Sequence, residues 1–383
     1  MTHPPCTVES MFQTISERAL RWASTMDGYA SNGVAIAHVE TGPSVDAVVA
    51  CGREDRENVE DSQLVIGATR SGGAGNRLVP EEPDLYRTCF ERDRDRILHS
   101  PFFRRLAGKT QVFIFPDDHQ RTRLTHALEV AQVAVAVARS CRLNVALTEA
   151  IALGHDCGHG PGGHSSEEAL SMFLPGGFDH AVWGADSVLV PLNLCSETLD
   201  GVRNHSWSRP APSTPEGAVV SWADRIAYCC HDFEDAVEAG LVGPEDLPRV
   251  VVDRCGARRS SQLRAFIGEL VRTISETGTV GMGHEMAEAL AALRSHNYER
   301  VYLRPDSVEQ EARVVSMLQA LVEHFARHRD EVPVVFGEQH PDPTTAAVAY
   351  VAGMTDRFAA EQCIDRLGWD ASRLPCGVGG RGL

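Results

Sequence analysis

Residues 121–170 read RTRLTHALEVAQVAVAVARSCRLNVALTEAIALGHDCGHGPGGHSSEEAL, and this stretch decides the fold. Apolar residues recur on both sides of His126, at positions 124, 128, 131 and 135, a spacing that predicts a helix with one buried face. A second apolar run, at positions 147, 151 and 153, leads into the adjacent His155 and Asp156, where glycines mark a helix end. A histidine on the buried face and a His-Asp pair at a helix end can reach one ion.

The loop that follows the second run is rich in titratable side chains. A single buried histidine is usually a hydrogen-bonded core residue, and that is the alternative for His126 taken alone. Surface loops do not ordinarily concentrate imidazoles and carboxylates, so the cluster favours a metal or catalytic site. Between positions 154 and 168 the loop contains His155, Asp156, His159, His164, Glu167 and Glu168.

A fourth candidate ligand lies in a third predicted helix, which contains SWADRIAYCCHDFEDAV at positions 221–237. Asp224, Tyr228 and Asp232 are spaced i, i+4, i+8 and therefore share one face of this helix. A stripe that faces a core would carry leucine, isoleucine or alanine. Two acids and a phenol on one face indicate a site instead, and Asp224 is the best candidate ligand.

Six segments carry a resemblance to a known family. They read RDRDRILHSPFFRRLAGKTQVF (92–113), RTRLTHALEVAQ (121–132), LTEAIALGHDCGHGPGGH (147–164), ETLDGVRNH (197–205), ADRIAYCCHDFEDA (223–236) and YVAGMTDRFA (350–359). In the same order they resemble segments of bacterial deoxynucleoside triphosphate triphosphohydrolases of the dGTPase type, which are HD-domain metal-dependent phosphohydrolases. The similarity covers roughly residues 84–360. Six ordered segments are a specific signal, whereas an HD pair alone is a weak one.

The resemblance implies a metal site made of His126, His155, Asp156 and Asp224, the H…HD…D set of HD domains. Two neutral imidazoles and two carboxylates suit a divalent Mn, Fe, Mg, Ni or Zn ion. Four protein ligands leave positions on a six-coordinate ion for water and a phosphate oxygen. Ligand types do not decide between these metals, because affinity order and metal supply both matter.

The resemblance also implies three catalytic residues. His164 and Glu167 stand nine and twelve residues after His155, which matches the family spacing, and His180 corresponds to a family histidine that reaches the scissile phosphate. A histidine paired with a carboxylate is held in one tautomer and is suited to proton transfer near neutral pH. His159 is interpreted as structural, with contact to the metal as the alternative.

Five residues are implied in substrate binding. Arg123 resembles the family arginine that binds phosphate. Its planar guanidinium group can donate two parallel hydrogen bonds to phosphate oxygens. Gln111 resembles the residue that hydrogen-bonds the sugar 3′-hydroxyl, and Tyr228 and Asp232 resemble the pair that packs beneath and hydrogen-bonds the deoxyribose. Arg225 stands where some relatives place a phosphate-binding lysine. Without the family, Tyr228 would be an ordinary buried tyrosine and Arg225 a surface residue.

The chain departs from the family pattern at three places. The loop that commonly reads HPPFGH is HGPGGH here (159–164), which removes an aromatic residue and adds the conformational freedom of glycine. After His180 the usual Asn-x-Gln pair is replaced by Ala-Val-Trp183, which removes polar groups and adds bulk. Ala349 stands where an acid is common.

Composition bounds the class of protein. The 383 residues, with 43% hydrophobic and 23% charged content, suit a soluble globular protein of one large or two small domains. The formal charge of −17 argues against bulk nucleic-acid binding, because phosphate neutralisation needs a basic face. We find no apolar run long enough to span a membrane and no signal-peptide pattern. The eleven scattered cysteines are interpreted as reduced thiols of a cytoplasmic protein.

The predicted fold is all-α, an HD-domain helical bundle with a divergent N-terminal extension. The predicted domains are the extension (1–83), the HD core (84–335) and a C-terminal helical segment with a tail that packs on the core (336–383). Within the extension, the pattern predicts an amphipathic helix at 12–22 and strands at 34–37 and 45–49. Relatives are often oligomers, so the resemblance also implies a homo-oligomer.

Three functions are considered. The first is hydrolysis of a dNTP, dGTP-like, to deoxynucleoside and triphosphate by water attack at the α-phosphorus. The alternative is a phosphatase of nucleoside 5′-monophosphates or nucleoside-analogue monophosphates that releases orthophosphate in a specialised biosynthetic pathway, a hypothesis motivated by the altered loop at 159–164. The third is a non-catalytic nucleotide-sensing or nucleic-acid-binding protein, against which the complete set of ligand and catalytic residues argues. No P-loop or Rossmann glycine motif is present in the sequence.

Overall fold

A computed structural model describes residues 16–31, 33–39, 42 and 44–378. The chain forms two compact units, residues 1–50 and residues 51–383. Within the described residues the secondary structure is almost entirely helical, with seventeen α-helices and two short strands, so the all-α prediction is confirmed.

The first unit contains one helix and one hairpin among its described residues. Helix α1 (Glu17–Ala23) begins after Ser16, whose hydroxyl accepts a hydrogen bond from the backbone N–H of Ala19 at 3.2 Å. Strands β1 (Tyr29–Ser31) and β2 (Val34–Ile36) pair antiparallel. The strand predicted at 34–37 is present over residues 34–36, whereas the prediction of a strand at 45–49 is wrong, because those residues pair with no other strand among the described residues. The first four positions of the helix predicted at 12–22 lie outside the described residues.

Sixteen helices form the second unit, and the candidate site lies among α5 to α10. Short single turns of 3₁₀- or π-helix lie between some of them. The helices are α2 (Arg53–Gln63), α3 (Cys89–His99), α4 (Pro101–Arg105), α5 (Arg123–Ser140), α6 (Val145–Gly154), α7 (Ser165–Ser171), α8 (His180–Trp183), α9 (Ser196–Arg203), α10 (Pro215–Glu238), α11 (Arg249–Cys255), α12 (Arg259–Thr277), α13 (His284–Asn297), α14 (Pro305–Arg327), α15 (Val334–Gln339), α16 (Pro343–Ala352) and α17 (Asp356–Leu367). None of these helices has the length and apolar character that crossing a lipid bilayer requires.

Side-chain caps fix where the central helices begin. Asn144 caps α6 by accepting a hydrogen bond from the N–H of Leu147 at 3.1 Å, and Thr214 caps α10 by accepting from the N–H of Gly217 at 3.0 Å. Pro215 occupies the first position of α10, where its missing N–H costs nothing. Because a helix rotates about 100° per residue, these starting points decide which side chains face inward.

The core lies between α3, α5, α6 and α10, which pack against one another. Many of their apolar residues are fully buried, including Val133 on α5, Ile151 on α6 and Val220 on α10. A second core cluster joins α7, α14, α16 and α17. Helix α6 ends at Gly154, so His155 and Asp156 enter the loop between the two clusters.

The stretch before α3 packs on the helical unit. Arg77 donates a hydrogen bond to Asp93 of α3 at 2.6 Å, and both side chains are buried. Residues 51–83 were assigned to the N-terminal extension, yet they lie in the same compact unit as the helices. The domain limits at residues 83 and 335 remain predictions.

Candidate metal centre and active site

Four side chains from α5, the end of α6 and α10 meet in the core. The Nε2 atom of His126 lies 3.1 Å from Oδ1 of Asp224 and 3.9 Å from Oδ2 of Asp156. The Nε2 atom of His155 lies 3.7 Å from the same Asp224 oxygen and 3.5 Å from Oδ2 of Asp156. The structure thus brings together all four predicted metal ligands.

The imidazole of His155 shows that a cation fits this cluster. Its Nδ1 donates a hydrogen bond to the carbonyl oxygen of Ala152 at 2.7 Å, so Nε2 is the ring nitrogen that can take up a proton or a metal ion. That Nε2 atom is buried and has no hydrogen-bond partner among the described residues, although it faces two carboxylates. A buried acceptor that faces only other acceptors is unfavourable without a cation between them. His126, His155 and Asp224 are close enough to hold one metal ion.

The charges of this cluster also suit a cation. Burial raises the pKa of Asp156, but the neighbouring His155 and Arg123 outweigh burial and hold it well below its ordinary value. Burial likewise opposes the charge of Asp224, but its hydrogen bond with His126 and the charges of the neighbouring imidazoles together outweigh burial and lower its pKa below the ordinary value. Both carboxylates are therefore anionic at neutral pH, which is the protonation state that metal binding requires.

A second cluster of titratable groups lies beside the first. Glu167 accepts hydrogen bonds from Nδ1 of His180 at 2.5 Å and from the backbone N–H of His180 at 3.0 Å. The Nδ1 atom of His164 lies 3.4 Å from the other oxygen of Glu167. His180 is buried, whereas the side chain of His164 is 73% exposed. Burial opposes protonation of His180, but the Glu167 carboxylate outweighs it and raises the pKa.

His205, which the sequence reasoning did not single out, completes this second cluster. Its Nδ1 donates to the carbonyl oxygen of Val202 at 2.8 Å, and its Nε2 lies 3.2 Å from Nε2 of His180. Burial and the nearby His155 lower the pKa of His205 to about 4. Since Glu167 raises the pKa of His180, the proton between the two Nε2 atoms belongs to His180. The segment ETLDGVRNH contained His205, but nothing in its spacing pointed to this contact.

His159 lies between the metal cluster and the second cluster. Its ring stacks on that of His180 with centroids 3.7 Å apart, and its Nε2 lies 3.2 Å from Oδ1 of Asp156. That approach lacks hydrogen-bond geometry, so both ring nitrogens of His159 are buried without a partner. Burial lowers its pKa well below the ordinary value. The structural role assigned to His159 remains a prediction.

The predicted phosphate-binding arginine lies against the metal ligands. Nη1 of Arg123 donates to Oδ2 of Asp156 at 2.7 Å, and both side chains are buried. Arg225, the second predicted phosphate contact, lies over the ring of Trp207 at 3.3 Å from the centroid, a cation–π arrangement. Of these two arginines, only Arg123 has a hydrogen bond to a residue of the metal cluster.

Two of the three predicted sugar-binding residues, Tyr228 and Asp232, are already engaged with other side chains. The hydroxyl of Tyr228 accepts a hydrogen bond from Nε of Arg294 at 2.9 Å. Asp232 accepts one from the hydroxyl of Tyr302, and burial raises the pKa of Asp232 to about 7. The side-chain oxygen of Gln111 is buried without a partner. Arg294 and Tyr302 lie 66 and 70 residues along the chain from their partners, so no local pattern could reveal them.

The HGPGGH loop is held more firmly than the glycine-rich sequence suggested. Gly162 and Gly163 have positive φ angles of 72° and 62°, which glycine adopts without strain. The N–H of Gly162 donates to Asp356 of α17 at 2.9 Å, and a side chain at Gly163 would meet the Arg123 guanidinium at 2.6 Å. The expected extra freedom is therefore not seen, because the backbone of this loop is hydrogen-bonded and closely packed.

Comparison with known proteins agrees with this site. Residues 123–229 match the HD domain family, and residues 280–364 match the phosphohydrolase-associated domain. Fold and site together define an HD-domain phosphohydrolase, which is a hydrolytic enzyme and not the non-catalytic protein considered above.

Relatives narrow the class further. A "deoxyguanosinetriphosphate triphosphohydrolase-like protein" of Caldanaerobacter subterraneus is 41% identical over 321 residues, which cover 80% of this chain and 93% of that protein. Proteins of the same description from Clostridium perfringens and Syntrophus aciditrophicus are 38% identical over 331 residues and 35% identical over 379 residues. These two alignments cover 81% of this chain and 96% and 95% of the relatives. The chain belongs to this family of deoxyguanosinetriphosphate triphosphohydrolase-like proteins.

Proposed function

We propose that this protein hydrolyses a deoxynucleoside triphosphate to deoxynucleoside and triphosphate by attack of water at the α-phosphorus. The observation that supports it most is the adjacency of two clusters: a buried set of two imidazoles and two carboxylates, and the Glu167–His180 pair beside it. Asp156 belongs to the first cluster and lies 3.8 Å from Nε2 of His180 in the second. The names of the relatives also describe a triphosphohydrolase-like activity.

In this proposal His126, His155, Asp156 and Asp224 hold one divalent ion. The ligand set suits Mn, Fe, Mg, Ni or Zn and does not choose between them. Such an ion would act as a Lewis acid: it would polarise a phosphoryl oxygen and lower the pKa of a water molecule. The ion would bind Nε2 of His155, a buried nitrogen that has no hydrogen-bond partner among the described residues.

The second cluster is proposed to position and move protons. Glu167 accepts from Nδ1 of His180 and so keeps a proton on that atom, which orients the ring toward Asp156 and His205. His164, whose side chain is exposed beside Glu167, is proposed to protonate the leaving 5′-oxygen. The Glu167 carboxylate raises the pKa of His180 and so keeps the imidazolium form of His180 available near neutral pH.

Substrate binding is proposed to use the remaining predicted residues. Arg123 and Arg225 would contact phosphate oxygens, and Gln111 would pair its buried, unpartnered oxygen with the sugar 3′-hydroxyl. Tyr228 and Asp232 lie one and two turns after Asp224 on α10, so they would border the deoxyribose when the phosphates meet the metal cluster. Their present bonds to Arg294 and Tyr302 would form part of the pocket wall.

The test is product analysis. Purified protein with Mn is incubated separately with dNTPs, NTPs and nucleoside monophosphates, and orthophosphate, pyrophosphate and triphosphate are resolved. We expect triphosphate and free deoxynucleoside in equal amounts from at least one dNTP. Orthophosphate from monophosphates alone would contradict this proposal and support the monophosphatase alternative.

A further inference from the structure

Two of the six segments quoted from the sequence, 92–113 and 350–359, contain no predicted metal ligand or catalytic residue. In the structure they meet beside the loop at 159–164. A Cβ at Gly108 would lie 2.8 Å from the side chain of Thr355, so the two segments are closely packed. Asp356, the first residue of α17, belongs to this contact and is only 3% exposed.

Both oxygens of the Asp356 carboxylate accept hydrogen bonds. Oδ1 accepts from the backbone N–H of Gly162 at 2.9 Å, and Oδ2 accepts from the hydroxyl of Thr110 at 2.5 Å. Thr110 is buried as well. A buried carboxylate with a donor on each oxygen is held in one orientation. Asp356 therefore ties the loop at 159–164 to the segment that contains Thr110.

On one side, this connection leads to His164. Gly162 precedes His164 by two residues, and α7 begins directly after His164. The N–H and the hydroxyl of Ser166 both donate to the carbonyl oxygen of Gly163, at 3.0 and 2.6 Å, which joins the loop to the first turn of α7. A shift of Gly162 therefore also moves His164.

On the other side, the connection leads to Arg123. Thr110 forms an antiparallel bridge with Thr122, and the N–H of Arg123 donates to the carbonyl oxygen of Lys109 at 3.3 Å. Asp356 thus lies between the segments that carry two side chains of the proposed reaction, the phosphate-binding Arg123 and the proton donor His164.

Lys109 joins the same parts of the chain a second time. Its Nζ donates to the carbonyl oxygen of His159 in the loop and to that of Ala352 in α16. The loop is therefore held at two points, His159 and Gly162. Only the bond at Gly162 is made by a carboxylate whose other oxygen holds the residue next to Lys109.

We propose, on the basis of the proposed function, that Asp356 is a positioning residue that fixes His164 relative to Arg123. Its two side-chain hydrogen bonds go to Gly162 and Thr110, so it acts through the loop and does not touch the substrate. A displacement of about 1 Å in a catalytic group can lower a rate by about 10²-fold, so a positioning bond of this kind affects turnover.

The leaving group distinguishes positioning of His164 from a general structural role. The full-length, metal-loaded protein is assayed with the dNTP that it hydrolyses fastest and with the analogue in which sulfur replaces the 5′-oxygen. A thiolate leaves without a proton near neutral pH, whereas an alkoxide requires one from His164. The analogue therefore reports turnover that does not depend on the proton donor.

Asp356→Asn is the first variant to test. An amide accepts a hydrogen bond at only one of its two positions, so one of the two bonds is lost with little change of volume. We expect kcat for the oxygen substrate to fall by about 10- to 100-fold and kcat for the sulfur analogue to fall by less than about threefold. KM and metal content should stay unchanged, and Asp365→Asn on the exposed side of α17 should match the unmodified protein.

Thr110 offers a matched pair of variants that leave the Asp356 charge in place, which keeps the test decisive if Asp356→Asn does not fold. Thr110→Val removes the hydroxyl donor and keeps the shape, and we expect a loss of about three- to tenfold in kcat for the oxygen substrate alone. Thr110→Ser restores the donor, and its kcat should lie within about twofold of the unmodified value. Equal rates for the two Thr110 variants would overturn the proposal.

Hydrogen exchange measures the hold on the loop without turnover. We expect the backbone amides of residues 162–164 to exchange at least about tenfold faster in Asp356→Asn than in Asp365→Asn. Unchanged exchange, or equal losses of kcat on the oxygen and sulfur substrates, would overturn the role of Asp356 alone. Absence of dNTP hydrolysis by the unmodified protein would overturn the proposed function and the role of Asp356 with it.

Discussion

Asp224 is the residue on which the metal cluster depends most. Its Oδ1 lies within 4 Å of an imidazole nitrogen of both His126 and His155. We predict that Asp224→Asn, which removes the charge with little change of volume, lowers bound metal to less than about a tenth and abolishes turnover. Elemental analysis after reconstitution with Mn measures the first, and product release measures the second. Asp253→Asn, at an exposed carboxylate on α11, should change neither; full metal content in Asp224→Asn would remove this residue from the ligand set.

Substitution of Glu167 tests proton transfer without removing a proposed metal ligand. We predict that Glu167→Gln keeps the metal but lowers turnover by about 10² to 10⁴, the range for positioned acid–base groups, because a neutral amide no longer raises the pKa of His180. The exposed neighbour Glu168→Gln is the matched control, and its rate should equal that of the unmodified enzyme. A Glu167→Gln enzyme with an unchanged rate and pH profile would exclude the carboxylate from the mechanism.

At this scale the sequence predicts which residues belong to the site better than it predicts their contacts. His126, His155, Asp156 and Asp224 follow from periodicity, motif order and resemblance. The contact of His205 with His180 depends on where α9 ends relative to α8, a tertiary relation that spacing does not encode. Phosphate binding by Arg123 remains a prediction, and its hydrogen bond to Asp156 is a tertiary contact that the sequence did not indicate.

Among the structural elements, the turn between α6 and α7 tolerates least change. A Cβ at Gly158 would lie 2.5 Å from the backbone nitrogen of Gly184 and would collide with the carbonyl oxygen of His180. We predict that Gly158→Ala lowers the free energy of unfolding by about 1–3 kcal/mol, the usual cost of overpacking, and reduces turnover by displacing α8. Urea denaturation and rate measurements check this prediction.

The chain offers a matched control for this substitution. Gly268 lies on the exposed side of α12, and an added Cβ there would contact nothing within 4 Å. Gly268→Ala should therefore leave turnover unchanged and increase stability by up to about 1 kcal/mol, since alanine is the better helix former. If both variants behaved alike, the close packing at Gly158 would have no energetic consequence.

Helices were predictable from the sequence, and the roles of individual glycines were not. The apolar spacing of residues 124–135 and 147–153 predicts α5 and α6, and Asn144 marks where α6 begins. The sequence does not show that Gly158 is closely packed and Gly268 is not, because the atoms that contact Gly158 belong to another part of the chain. For the same reason the loop at 159–164 was expected to be free, although α17 and Arg123 hold its glycines.

On the scale of the whole molecule, one buried acid gives stability a defined pH dependence. Burial raises the pKa of Asp232 to about 7, whereas the unfolded chain releases this proton near pH 4. The stabilisation is complete below the unfolded pKa and is lost as pH rises through about 7, with a slope of up to about 1.4 kcal/mol per pH unit. Asp232→Asn keeps the shape and does not titrate, so we predict a flatter stability profile between about pH 4 and about pH 7.

Denaturation at several pH values within that interval measures this effect. The control is Asp365→Asn, an exposed carboxylate on α17, whose profile should run parallel to that of the unmodified protein. Parallel profiles for Asp232→Asn would mean that the acid is already ionised in the folded state.

The class of fold and the family were predictable for the whole molecule, because helical periodicity and six ordered motifs extend over most of the chain. The packing of residues 51–83 was not, since Arg77 finds its partner Asp93 through tertiary structure and no motif marks the pair. The cytoplasmic location and the homo-oligomer remain predictions.

Hydrogen bonds join the C-terminal helices to residues 109–110 and to the loop at 159–164, and their spacing in sequence bears on synthesis of the protein. Lys109 bonds to Ala352 across 243 residues, Thr110 to Asp356 across 246, and Gly162 to Asp356 across 194. On the ribosome, all four proposed metal ligands are translated before these partners. The bonds to Ala352 and Asp356 can therefore form only after the C-terminal helices have left the exit tunnel.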